Sequence, residues 1–207
     1  MNPGVLSVIL YAITMTLLLT GWWDQLLLRL NIRRMTLIGW FTIAIIASRL
    51  TFFITEEINV NLGFVFVLSA AVYCWGKTTT GYGAMLFGAT VFTGSVCYFI
   101  REISVVDPAL LLLPSGWLQA GVLFLLAGVS VRSLWERMAL MTGGITAGYL
   151  LSLWHHLGEL PVWTFGEPAF FDLVWSCLLG LLIMESIPHV AMWGRWRSQK
   201  KLGETNG

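Results

Sequence analysis

The feature that most constrains this chain is a series of seven apolar stretches, separated by short polar segments, that runs from one end to the other. They fall at about 4–22, 35–54, 61–75, 81–100, 110–131, 138–154 and 169–192. The ~30 Å hydrocarbon core of a bilayer takes about 20 residues of helix. Most of the stretches are near that length, and the third is short. Only 11% of the 207 residues are charged, against about 25% in soluble domains. A chain so poor in polar groups cannot cover a globular surface in water. The expected fold is therefore all-α, a polytopic transmembrane bundle of about seven spans. Residues 1–193 would form a single membrane domain and 194–207 a flexible basic cytoplasmic tail. The start lacks a basic segment and a small-residue cleavage site, so the first stretch reads as a retained span and not as a signal peptide.

The cations set an orientation. Arg29, Arg33 and Arg34 follow the first stretch, Lys77 the third, Arg132 and Arg137 the fifth, and Arg195, Arg197, Lys200 and Lys201 the last. Ten of the twelve Lys and Arg residues thus share one side. Short loops rich in cations stay in the cytoplasm. The expectation is an outside N-terminus, an inside C-terminus and an odd number of spans; five remains an alternative if two weak stretches fail. Trp22, Trp23, Trp75, Trp135, Trp193 and Trp196 mark the inner boundary, and Trp117, Trp154 and Trp163 the outer one, as interfacial tryptophans do. The longest outer connection, 156–168, reads as a segment lying on the interface.

Few ionisable residues fall inside the stretches. Arg49 lies about five residues from the outer end of the second, close enough to snorkel. With Glu56, Glu57, Arg101 and Glu102 it makes a candidate outer charged cluster, either a site for a polar or anionic ligand or a set of ion pairs fixing helix ends. Glu185 lies within the seventh stretch, with His189 one helical turn on and Pro188 between them. An intramembrane carboxyl must face protein or water. Glu185, His189 and Arg49 are therefore candidate members of an intramembrane polar site, read either as an ion path or as a contact between helices. Asp172, near the start of that stretch, is expected to complement the dipole of its own helix.

Several motifs carry less. His155, His156 and Glu159 lack a fourth ligand and the continuous helix that a metal site would need. Thr79-Thr80-Gly81-Tyr82-Gly83 imitates a potassium-channel filter but has no pore helix before it and lies on the inner side. Cys74, Cys97 and Cys177 sit in apolar surroundings and read as small buried hydrophobes. No nucleophile elbow, HExxH, P-loop or CxxC is present, so no enzyme and no cofactor is expected. Gly144 and Gly148 in the sixth stretch, and Ala84 and Gly88 in the fourth, have the small-xxx-small spacing that lets helices approach closely. They are expected to pack the interior, or equally to hold a membrane-protein partner or a second copy. The lipid bilayer is the other expected partner, and nucleic acid is not.

The opening span into TGWWDQLLLRLNIRRM, residues 20–35, and the closing span with LLIMESIP, residues 181–188, resemble the YphA family of small membrane proteins from spore-forming Gram-positive bacteria. The likeness lies in layout over the whole chain: size, span number, outside N-terminus and basic tail. It implies a location in the cell membrane and brings no catalytic or binding residue. The functional expectation is a non-enzymatic assembly or scaffold component of the envelope. The alternative is a small-solute or ion transport component using Glu185, His189 and the outer Arg49 cluster.

Overall fold

The computed structural model describes residues 2–78, 83–107, 109, 114–131, 133–156 and 162–204, leaving out the side chains of Arg29 and of 187–204. Eight helices and three short strands follow one another along the described chain: α1 Val5–Leu19, α2 Asp24–Leu30, α3 Arg34–Ala47, β1 Thr51–Thr55, β2 Ile58–Asn61, α4 Leu62–Gly76, α5 Gly83–Val106, α6 Ser115–Ser130, α7 Leu134–His155, β3 Trp163–Phe165 and α8 Pro168–Glu204. Seven of the helices correspond to the seven apolar stretches. The eighth, α2, is a seven-residue helix between the first two. The helix α8 continues through the segment expected as a tail.

Two helices, Gly83–Val106 and Pro168–Ser186, are long and apolar enough to cross a bilayer by length and composition. The helices α1, α3, α4 and α6 are apolar but shorter. The exterior they build is greasy. Phe87, Phe92 and Phe99 of α5, Leu125 and Val129 of α6, and Val65 and Val72 of α4 all point outwards, Val129 being 82% exposed. Water-soluble monomers do not present apolar surface on this scale. Within the bundle, Leu123, Ala139 and Leu140 are fully buried. The Trp175 ring of α8 meets Tyr11 of α1 and Phe41 of α3 edge-on, at 5.6 and 5.3 Å.

The second stretch does not continue as helix to residue 54. The helix α3 stops at Ala47, and a hairpin follows, with Thr51 opposite Asn61 and Phe52 opposite Val60. The strand β3 joins β2 in parallel, Ile58 beside Trp163 and Val60 beside Phe165, giving the order β1-β2-β3. The fold is therefore helical with a small sheet at one end, and not all-α. The residues explain the change. Thr-Phe-Phe-Ile-Thr is rich in β-branched and aromatic residues, and Ile58-Asn59-Val60-Asn61 alternates with the period of a strand. Asn61 then closes the hairpin. Its amide donates to the Ser48 carbonyl at 2.9 Å, and its side-chain oxygen accepts the Gly63 N–H at 2.8 Å to cap α4. At the opposite end, Gly21, with φ of 78°, terminates α1: Trp22 N–H returns to the Leu17 carbonyl and Gly21 N–H to Leu18, a Schellman closure.

Among the described residues the most extensive helix contact is between α5 and α7. A Cβ on Gly148 would lie 2.7 Å from the Gly94 carbonyl oxygen, and one on Gly144 would lie 2.8 Å from Thr93 Cγ2. These glycines bring the backbones together, as expected for Gly144 and Gly148. Ala84 and Gly88 do not share in it. Both are exposed, and a Cβ on Gly88 would meet nothing within 4 Å. The helix α5 packs instead through Thr90, Thr93, Gly94 and Cys97, all buried. That face lies nearly opposite the expected one, because every side of a membrane helix is apolar and the inward side is not marked by polarity.

Candidate functional site

The polar side chains gather at the two ends of the bundle. At the sheet end, Tyr149 of α7 is the hub. Its hydroxyl donates to the Thr164 carbonyl at 2.6 Å and lies 3.3 Å from the N–H groups of Gly166 and Glu167. One phenol thus ties β3 and the entrance of α8 to α7. Gly166 has φ of 86°, and a Cβ there would meet Phe64 Cβ at 2.8 Å; glycine is needed for both conformation and space. The Arg101 guanidinium lies over the Tyr149 ring, 5.1 Å from its centroid, and pairs with Glu167 at 3.3 Å.

One residue on, Glu102 turns to the other side of Arg101. Its carboxylate accepts from Ser152 Oγ at 2.9 Å and meets His156 Nε2 at 3.1 Å. Ser152 is buried, and the Glu102 side chain is 17% exposed. A serine, a carboxylate and a histidine in contact invite comparison with a hydrolytic relay, but the order is wrong. The carboxylate stands between Ser152 and His156, whereas a relay needs the imidazole between them to take the serine proton.

Asp172 of α8 also reaches across. Its two oxygens accept the N–H groups of Gly4 at 2.8 Å and Ser7 at 2.7 Å. It therefore caps α1 and not, as expected, its own helix. Free N–H groups at a helix start need acceptors wherever they can be found.

The expected outer cluster is brought together only in part. Arg101 and Glu102 join the network, but with Glu167, Tyr149, Ser152 and His156 as partners. Glu56 and Glu57 are exposed in the β1–β2 turn. Their carboxylates form no ion pair among the described residues, and Glu57 takes part through its carbonyl, which accepts the Trp163 N–H at 2.6 Å. Arg49 is exposed in the turn between α3 and β1. It lies beyond the end of α3 at Ala47 and not within a helix. Its placement in a span followed from reading β1 as helix.

At the opposite end, Glu185 is held by Arg137 of α7, with side-chain exposures of 20% and 24%. The Arg137 Nε also donates to the Val131 carbonyl at 3.4 Å, so one guanidinium links α8, α7 and the end of α6. A second pair, Arg34 with Asp24, is bidentate and joins α3 to α2. The side chain of His189, and Glu159 and residues 79–82 of the filter-like motif, lie outside the described residues. His155 is exposed, its ring 5.9 Å from that of Tyr98. No group of His, Cys, Asp and Glu among the described residues could hold a metal ion. The three cysteines are free and buried.

Sequence reasoning missed Tyr149, Ser152, Glu167, Arg137, Arg34 and Asp24. Each side chain is ordinary for its position, and only the helix set beside it makes it a partner. One signal was available: Arg137 at the inner edge of the sixth stretch is a long cation that can reach inward to Glu185 on the antiparallel seventh.

The fold and its polar groups define an integral membrane helix bundle whose charges knot the helix ends together. The chain belongs to the YphA-like integral membrane protein family, whose sequence profile matches residues 25–206. Comparison with curated proteins and with solved structures returned no match.

Proposed function

We propose that this protein crosses the cell membrane seven times, with the sheet end outside, and acts without catalysis as an assembly or scaffold component of the envelope. Six apolar helices among the described residues, together with the 22-residue α7, support the span number. The gathering of cations at the end opposite the sheet supports the orientation. The observation that carries the functional reading is Glu185. An intramembrane carboxylate is a candidate ion site by default, but here it is tied to Arg137 on the neighbouring helix. The two cavities described are apolar, and Glu185 lines neither. The transport alternative needs a polar cavity reaching Glu185. Partner contact is assigned to the outward face of α5 with Ala84 and Gly88, since Gly144 and Gly148 are already used inside.

Liposomes containing the purified protein and a pH-sensitive dye test this reading. A proton flux no greater than that of empty liposomes is expected. A flux that disappears in Glu185→Gln would establish transport instead. Cytoplasmic and external reporters fused after Gly207 test the orientation, and activity on the external side would reverse it. Cross-linking through Ala84→Cys tests the partner face, and the absence of any adduct in membranes would remove α5 as a contact.

A further inference from the structure

Between the sheet and α4 lies a groove of about 620 Å³, within the roughly 300–1,000 Å³ range of small-molecule pockets. Ile54, Ile58 and Phe165 wall it from the sheet, and Val65, Leu68 and Val72 from α4. The polar side chain in the lining is Ser69, whose hydroxyl already donates to the Phe66 carbonyl at 2.8 Å. Water here would find almost no partners, and buried water needs two to four.

We propose that this groove seats one acyl chain of a phospholipid with an ammonium headgroup, drawn from the leaflet on the sheet side. The proposal rests on the membrane location of the family and not on the scaffold reading. The groove is continuous with lipid-facing surface: Val65, Leu68 and Val72 belong to the exposed flank of α4. From Val65 to Val72 the helix rises ~10 Å, within the ~15 Å half-thickness of the hydrocarbon. The strand β1 is an edge strand with all five residues exposed. Unpaired backbone groups are excluded from hydrocarbon, so the sheet lies at headgroup level and roofs the groove. A lipid beneath it must place its headgroup to the side. The turn joining the lining residues Ile54 and Ile58 carries Glu56 and Glu57, both exposed and outside any ion pair among the described residues. Two carboxylates there attract an ammonium group and repel a net-anionic headgroup. A chain already in the bilayer gains little hydrophobic energy by entering the groove, so the selectivity comes from this charge.

The test places the full-length protein in nanodiscs of equimolar phosphatidylethanolamine and phosphatidylglycerol and reads the retained lipid by native mass spectrometry. One retained phosphatidylethanolamine is expected, enriched about fivefold over its share, the fold-change equivalent to about 1 kcal/mol at an interface. Leu68→Trp, which fills the groove from an already exposed position, should lose the retained lipid. Glu56→Gln with Glu57→Gln, both on the surface, should retain a lipid without the headgroup preference, and this variant decides the matter if Leu68→Trp fails to fold. The proposal is overturned by a wild type that retains no lipid or prefers phosphatidylglycerol. It is equally overturned by unchanged retention in a folded Leu68→Trp, by unchanged preference in the double glutamine variant, or by a second protein copy filling the groove, seen as a dimer mass abolished by Leu68→Trp.

Discussion

Gly148→Ala puts the contact between α5 and α7 under direct strain. A methyl at Gly148 would meet the Gly94 carbonyl oxygen at 2.7 Å, Cys97 Cβ at 3.0 Å and the Tyr98 nitrogen at 3.3 Å. Two of these three atoms are backbone and the third is a Cβ, so no rotamer change relieves the clash. The helices must separate until 2.7 Å becomes the 3.4 Å of ordinary contact, a shift of about 0.7 Å. That shift loosens the neighbouring Gly144–Thr93 contact as well. Overpacking of this kind costs about 1–3 kcal/mol, and the upper half of the range is expected because the obstacle cannot move alone. The control is Gly88→Ala on the same α5, where an added Cβ meets nothing within 4 Å. It should be neutral or slightly stabilising, since alanine is the better helix former. Unfolding in mixed micelles titrated with sodium dodecyl sulfate, followed by tryptophan fluorescence, measures both. An unchanged midpoint for Gly148→Ala, or an equal loss for Gly88→Ala, would refute the packing argument.

Three further outcomes follow from the polar ties. Arg137→Glu should destabilise the fold by about 2 kcal/mol, below the range for fully buried pairs because both side chains keep some exposure; adding Glu185→Arg should restore at least half of the loss in the same titration. Tyr149→Phe removes a donor to Thr164 and an acceptor for two N–H groups, so about 1–3 kcal/mol is expected, together with faster hydrogen exchange at Gly166 and Glu167. Asp172→Ala uncaps α1 across the bundle and should cost about 1–2 kcal/mol, with exchange rising at Gly4 and Ser7 and not at the start of α8; the reverse pattern would mean that Asp172 serves its own helix.

The positions of the helices were legible because hydrophobic length is a local property. Each of the seven helices overlaps its apolar stretch, although α5 runs six residues and α8 twelve residues past the expected end. The hairpin was less so. Ser48, Arg49 and Leu50 join α3 to β1 without a Gly or Pro, so the apolar run from 35 to 54 conceals the change from helix to strand. The Thr-Phe-Phe-Ile-Thr composition and the alternation of Ile58 and Val60 were the available signals. The polar network was partly legible. Arg101 and Glu102 mark its place, but adjacent residues on a helix point about 100° apart. Their separate partners, Glu167 for one and Ser152 with His156 for the other, depend on which helices flank α5.

By itself the sequence determined the solvent of this protein and where along the chain its helices fall. These follow from composition along the chain, because a bilayer selects for the length and polarity of each segment one at a time. The tertiary structure decided which charges neutralise one another, that Asp172 serves α1, that Gly94 and not Gly88 meets α7, and that a sheet roofs an apolar groove beside α4. The physical reason is that a helix in lipid is apolar on every face. Polarity therefore does not mark its inward side, and only close contact between particular helices fixes its rotation and hence its partners.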